Sequence, residues 1–187
     1  MAVQLDYLAK KGWKASSGNH LVTLIKMELS EVAVKEAKKS GKSLRKVFEE
    51  GCASVAAESS TGTWTKVFDG KGSGIKMARK KKAVAFDLDY NKKMFKVAYP
   101  IDLFELDNIS GLLAGIVGNI AGMKMVSGMR IFDVRFPKKM VKAFLGPRFG
   151  VRGVRRFLGK KKGCLLATVP KPKIGRTAKE QALLARD

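Results

Sequence analysis

Apolar and polar positions follow two rhythms along this chain, and the points where one gives way to the other mark a succession of elements. Residues 20 to 29 (HLVTLIKMEL) are rich in β-branched and aliphatic side chains and predict a strand, with imperfect alternation. A lysine-rich connection follows. Ser43 then stands where a helix cap is expected, and Leu44, Val47, Phe48, Cys52 and Val55 recur at spacings of three and four. The helix this predicts runs its apolar face into AAESSTGTWT at 56 to 65. Thr63 to Phe68 predicts a short strand, and DGKGSG at 69 to 74 a flexible, turn-rich loop. Its alternating glycines invite comparison with a phosphate cradle, but no strand-to-helix dinucleotide pattern surrounds them.

Residues 83 to 90 (AVAFDLDY) alternate cleanly, which puts Val84, Phe86, Leu88 and Tyr90 on one face and Asp87 and Asp89 on a solvated one. Asn91-Lys92-Lys93 turns the chain into MFKVAYP at 94 to 100, giving a hairpin. A second helix is expected over 109 to 117, capped by Asn108 or Ser110, with Ile109, Leu112, Leu113, Ile116 and Val117 as its buried stripe. MRIFDVRFP at 129 to 137 supplies another strand, closed by Pro137. Strand, helix, strand, hairpin, helix, strand is the order of a ferredoxin-like α+β fold: an antiparallel sheet with helices on one face.

The rhythm then changes. Two short basic helices are expected near 138 to 144 and 150 to 158, before the unbroken apolar run GCLLATV at 163 to 169. Such a run suits a strand buried on both faces, as parallel barrel strands are. Thr177 and Glu180 have the spacing of a capping box and begin a helix. One βα unit cannot close a sheet, so this tail reads as the first stave of a larger (β/α)8 barrel whose remainder is absent. The expected divisions are an N-terminal extension (1–19), the ferredoxin-like domain (20–145), a linker helix (146–162) and the start of the barrel (163–187).

Charge adds a second theme. The chain has 187 residues and a formal net charge of +22, from 38 basic and 16 acidic side chains. The cations come in bursts, KKSGKSLRK (38 to 46), KMARKKK (76 to 82) and VRGVRRFLGKKKG (151 to 163), which attract polyanions such as nucleic acid, phosphorylated sugars or an acidic partner. Aromatic residues do not interleave with these runs as they do in platforms for single strands. No apolar stretch is long enough for a membrane span and the N-terminus lacks a signal-peptide core, so a cytoplasmic location is expected. Cys52 and Cys164 are far apart and His20 is the sole histidine, which leaves no zinc site and no histidine-based triad. Proton chemistry must fall to Lys, Asp or Glu.

Two places concentrate chemistry. AAESSTGTWT packs a carboxylate, five hydroxyl side chains and a tryptophan around one glycine. In PKPKIG, Lys171 and Lys173 stand just beyond the carboxyl end of the expected barrel strand, the end at which such barrels carry their active sites. A lysine there can hold phosphate, or act as acid or base where burial and neighbouring positive charge bring its pKa toward neutral.

AAESSTGTWT (56 to 65), VAYPIDLFELDNISGLLAGIVGNIAGMK (97 to 124), GPRFGVRGVRRFLG (146 to 159) and LLATVPKPKIG (165 to 175) together resemble the large chain of ribulose-1,5-bisphosphate carboxylase/oxygenase (RuBisCO). The TVPKPK wording is most similar to the archaeal form III enzymes. The resemblance implies carboxylation of ribulose 1,5-bisphosphate, linked in archaea to nucleotide salvage, in a dimer where one subunit's N-terminal domain caps its partner's barrel. On that likeness Thr63 and Trp64 would contact a phosphate, Glu58 would position a mobile barrel lysine, and Asn119 would bond substrate oxygens. Lys171 would transfer protons during enolisation and Lys173 would support the phosphate. The Mg²⁺ that the family uses is expected on later barrel strands, with no ligand in this chain, which alone is therefore expected to be inactive. Val169 departs from the threonine of many members, and the strong positive charge is unusual among them. Two other functions stay open: a RuBisCO-derived module that binds nucleic acid or the ribosome, and a RuBisCO-like enolase or isomerase.

Overall fold

The computed structural model describes residues 2–3, 6–62, 67–68, 73–167 and 175–186. They form two compact units, Met1–Phe144 and Leu145–Asp187.

In the first unit β1 (Ala2–Val3) pairs antiparallel with β3 (Val67–Phe68) as a small ribbon. The main sheet holds β2 (His20–Leu29), β4 (Val84–Asp89), β5 (Met94–Pro100) and β6 (Val126–Arg135) in the order β4-β5-β2-β6, every neighbouring pair antiparallel. The antiparallel four-stranded sheet with helices is as expected, in β-α-β-β-α-β connectivity, but the strand predicted over 63 to 68 is not part of it: residues 63–66 lie outside the described residues, and Val67–Phe68 pair with β1 instead. Strand β2 alternates strictly: Leu21, Thr23, Ile25 and Met27 are buried while the residues between them are half-exposed. Opposite them Phe95, Val97 and Tyr99 of β5 point to the same face. Two helices cover that face, α2 (Leu44–Glu58) through Phe48, Cys52 and Val55, and α4 (Ile109–Val117) through Leu112 and Ile116. The caps are those expected: Ser43 Oγ accepts from Lys46 N at 3.3 Å and Asn108 Oδ1 from Gly111 N at 2.8 Å.

Several expectations need correction. The lysine-rich connection is a helix, α1 (Glu31–Ser40), capped by Ser30 and closed by Gly41 at φ 68°. It buries only Ala33 and Ala37, against Val47. The run at 76 to 82 is also largely helical, within α3 (Ser73–Lys81), whose first two residues belong to the expected loop. The stripe of α4 is narrower than predicted: Leu112 and Ile116 are buried, but Ile109, Leu113 and Val117 are 45%, 51% and 40% exposed. A single line of contact against the sheet covers only one edge of a helix whose apolar residues go most of the way round.

The faces of β4 differ too. Asp87 takes φ 53° and the register shifts between Phe86 and Asp89, so the extra residue of a bulge switches sides. Ala83, Ala85, Leu88 and Tyr90 therefore join the core, whereas Phe86 meets Trp13 at 5.2 Å between ring centroids. Strand β6 begins at Val126, three residues before the predicted start, and Pro137 caps α5 (Lys138–Ala143).

The second unit contains α6 (Gly150–Phe157) and α7 (Ala178–Arg186), neither with a buried residue. The capping box forms as read: Thr177 N donates to Glu180 Oε2 at 2.7 Å and Glu180 N to Thr177 Oγ1 at 3.3 Å. Residues 164–167 are not a strand, and Leu166 is 99% exposed. A barrel strand requires a neighbour on each side to satisfy its backbone, and the described residues of this unit supply none.

Candidate functional site

Helix α2 ends at Glu58 and α4 ends one residue before Gly118, and the loops that follow bring two predicted site residues together. The Asn119 carboxamide donates from Nδ2 to Glu58 Oε1 at 3.3 Å, across 61 sequence positions. Glycine is needed for this approach. A Cβ at Gly118 would lie 2.4 Å from the Ala114 carbonyl oxygen, so any other residue would push the turn away. Buried Ile120, next along the chain, anchors the turn from below.

The hydroxyl cluster that precedes Thr63 is turned inward. Ser59 Oγ donates to Val55 O at 2.6 Å and lies 3.1 Å from the buried Tyr99 hydroxyl, which is left to donate to it. Ser60 Oγ donates to Ala56 O at 2.6 Å, and Thr61 Oγ1 pairs with the Tyr7 hydroxyl at 2.5 Å. Gly62, at φ 67°, donates its N–H to Ala57 O at 2.9 Å and completes the helix end. Burial pushes the Tyr99 phenol up to about 12 and raises that of Tyr7 also. Ser59 and Ser60 thus serve to end α2 and Thr61 ties the segment to Tyr7, while Glu58 is the group left facing Asn119.

Thr63, Trp64, Lys171 and Lys173 lie outside the described residues. Sequence reasoning noted Gly118 beside Asn119 but passed over Tyr99 and Tyr7. For Tyr99 a signal existed: Phe95, Val97 and Tyr99 are alternate positions of one strand, and a phenol on a core face needs a hydroxyl partner. Tyr7 lay in a segment read only as an extension.

Among the described residues no group of three His, Cys, Asp or Glu stands together so as to hold a metal ion. The described part of the chain therefore offers no ligand set for the Mg²⁺ that the resemblance implies. No helix among them is long and apolar enough to cross a membrane.

A four-stranded antiparallel sheet, helices on one face and a carboxylate–carboxamide pair at the helix ends define an α+β domain of ferredoxin-like connectivity with a polar site at one end. Residues 42–140, just over half the chain, match the profile for the ribulose bisphosphate carboxylase large chain, N-terminal domain, and the chain belongs to that family. A ribulose bisphosphate carboxylase of Methanocaldococcus jannaschii is 45% identical over 149 residues, covering 78% of this chain and 34% of the relative. That of Thermococcus kodakarensis is 37% identical over 183 residues, covering 97% and 38%. A solved dimeric archaeal Rubisco from Hyperthermus butylicus superposes with a TM-score of 0.71 at 34% identity, covering 95% of this chain and 38% of that one. The chain thus spans little more than a third of the length of the relatives it matches.

Proposed function

We propose that this chain is the N-terminal part of a RuBisCO large chain of the archaeal form III kind, and that the ends of α2 and α4 are its contribution to a sugar-bisphosphate site. The observation that carries the reading is the Asn119–Glu58 contact: two polar groups 61 positions apart, set side by side at one end of the domain. A partner subunit's barrel completes the site. Glu58 positions a barrel lysine, Asn119 donates to substrate oxygens, and the Thr63 hydroxyl and Trp64 hold one phosphate. Lys171 moves the proton in enolisation and Lys173 stabilises the adjacent negative charge. The tail from 163 is the first βα unit of such a barrel and gains its strand when neighbouring strands are present. Mg²⁺ belongs to barrel residues that this sequence does not include.

The family membership and the breadth of the archaeal match support this reading. The test is complementation. The chain is mixed with a separately expressed barrel half, and ribulose bisphosphate-dependent incorporation of labelled CO₂ is measured. A complex that fixes CO₂, and loses at least tenfold in rate with Asn119→Ala, is expected. No complex and no incorporation would overturn the proposal.

A further inference from the structure

We propose that the open side of the sheet at β4 is a binding cleft for single-stranded nucleic acid. This goes beyond the carboxylase reading and uses neither Glu58 nor Asn119. Residues 7–9 run alongside β4, with Ala85 N donating to Tyr7 O at 2.8 Å and Ala9 N to Ala85 O at 2.9 Å. The chain then turns at Gly12 and packs Trp13 edge-on against both Phe86 and His20, at 5.2 and 5.8 Å between centroids. An open cleft of about 870 Å³ results, in which Trp13 remains half-exposed.

Its charge is one-sided. The acids in the wall are already matched, Asp87 with Lys96 at 2.6 Å and Glu49 with Arg45 at 3.8 Å. Lys10, Lys11, Lys14 and Arg135 line the same cleft and form no ion pair among the described residues. Cations at a rim and a half-exposed indole beside a phenyl ring are the two components that bind a single strand: the cations follow the phosphates and the rings stack on bases. A duplex hides its bases and a plain polyanion has none, so neither draws on the indole. The basic bursts pointed to polyanions in general, but the aromatic half of the cleft was not legible in the sequence, because Trp13 and Phe86 are far apart in the chain and lie outside those bursts.

The full chain is titrated into a labelled ten-nucleotide oligouridylate and into a duplex of equal length, at about 200 mM salt, where purely phosphate-driven binding has weakened by orders of magnitude. Fluorescence anisotropy should show the single strand bound more tightly than the duplex. Trp13→Ala should weaken single-strand binding by roughly 5- to 150-fold and leave duplex binding unchanged. Trp13→Phe should stay within about threefold of the parent. Trp13→Leu keeps apolar contact with Phe86 without an aromatic face, and should lose as much as the alanine variant even if alanine unsettles the segment. Equal binding of the parent chain and Trp13→Leu to the single strand would overturn the proposal. So would single strand and duplex weakening together with salt, which would leave only charge.

Discussion

Tyr99 shows how one side chain ties the fold to the site. Its phenol is buried between α2 and β2, in contact with Ser59 at the helix end, and Thr23 Oγ1 is buried nearby without a well-formed hydrogen bond. With a folded pKa of about 12 against about 10 when unfolded, its contribution is intact below pH 10 and is lost as pH rises from 10 toward 12, by roughly 2–3 kcal/mol. Tyr99→Phe should cost about 1 kcal/mol near neutral pH by loss of the hydrogen bond. It should also flatten the alkaline decline, so urea denaturation at several pH values would show the two stabilities converging above pH 10 and crossing before pH 12. Parallel curves would exclude this account. The buried Cys52 thiol, also raised by burial, acts equally in both proteins. At this scale the sequence was half legible. Glu58 and Asn119 were named from motifs and do meet, but the roles of Ser59, Ser60 and Thr61 depend on partners at 99, 56 and 7, which no local pattern reveals.

Elements were read best where burial is strong and regular. The bounds of β2 and α4 were legible to the residue, because a polar cap or a turn stands beside a sustained apolar pattern. Helix α1 was missed because its buried face consists of two alanines among lysines and glutamates, so its apolar signal is faint and only Ser30 and Gly41 mark its ends. The reversal within β4 was hidden by a bulge, since one extra residue exchanges the faces while the alternation in the sequence stays intact. Ser30 gives α1 a second anchor: its hydroxyl donates to Lys124 O at 2.6 Å while accepting from Ala33 N at 3.2 Å. Ser30→Ala should therefore cost about 1–2 kcal/mol, at the upper end for a cap, in chemical denaturation. Its amide exchange should quicken in α1 and at residues 124–126 together. Faster exchange in α1 alone would mean that the Lys124 contact contributes nothing.

For the whole molecule, charge is the property that composition announces and the fold does not cancel. The ion pairs among the described residues are surface pairs with at least one well-exposed partner, such as Lys35–Glu31 at 3.6 Å and Lys92–Asp89 at 3.7 Å, and solvent screening leaves each of them weak. Against them stands the mutual repulsion of a +22 chain, which compact folding concentrates and salt relieves. Screening both kinds of interaction therefore has a definite sign. Raising ionic strength from about 10 to 200 mM shortens the Debye length from about 30 to below 10 Å, which removes more repulsion between distant cations than attraction within close pairs. Scanning calorimetry in sodium chloride should show the melting temperature rising by several degrees, on the order of 1–2 kcal/mol for a chain of this size. A flat or falling trend would mean that the basic bursts are held far enough apart on the surface to ignore one another. The same titration separates self-repulsion from ligand binding: an oligouridylate seated in the cleft at β4 should raise the melting temperature even at 200 mM salt, where screening has already acted, whereas relief of charge alone should by then add little.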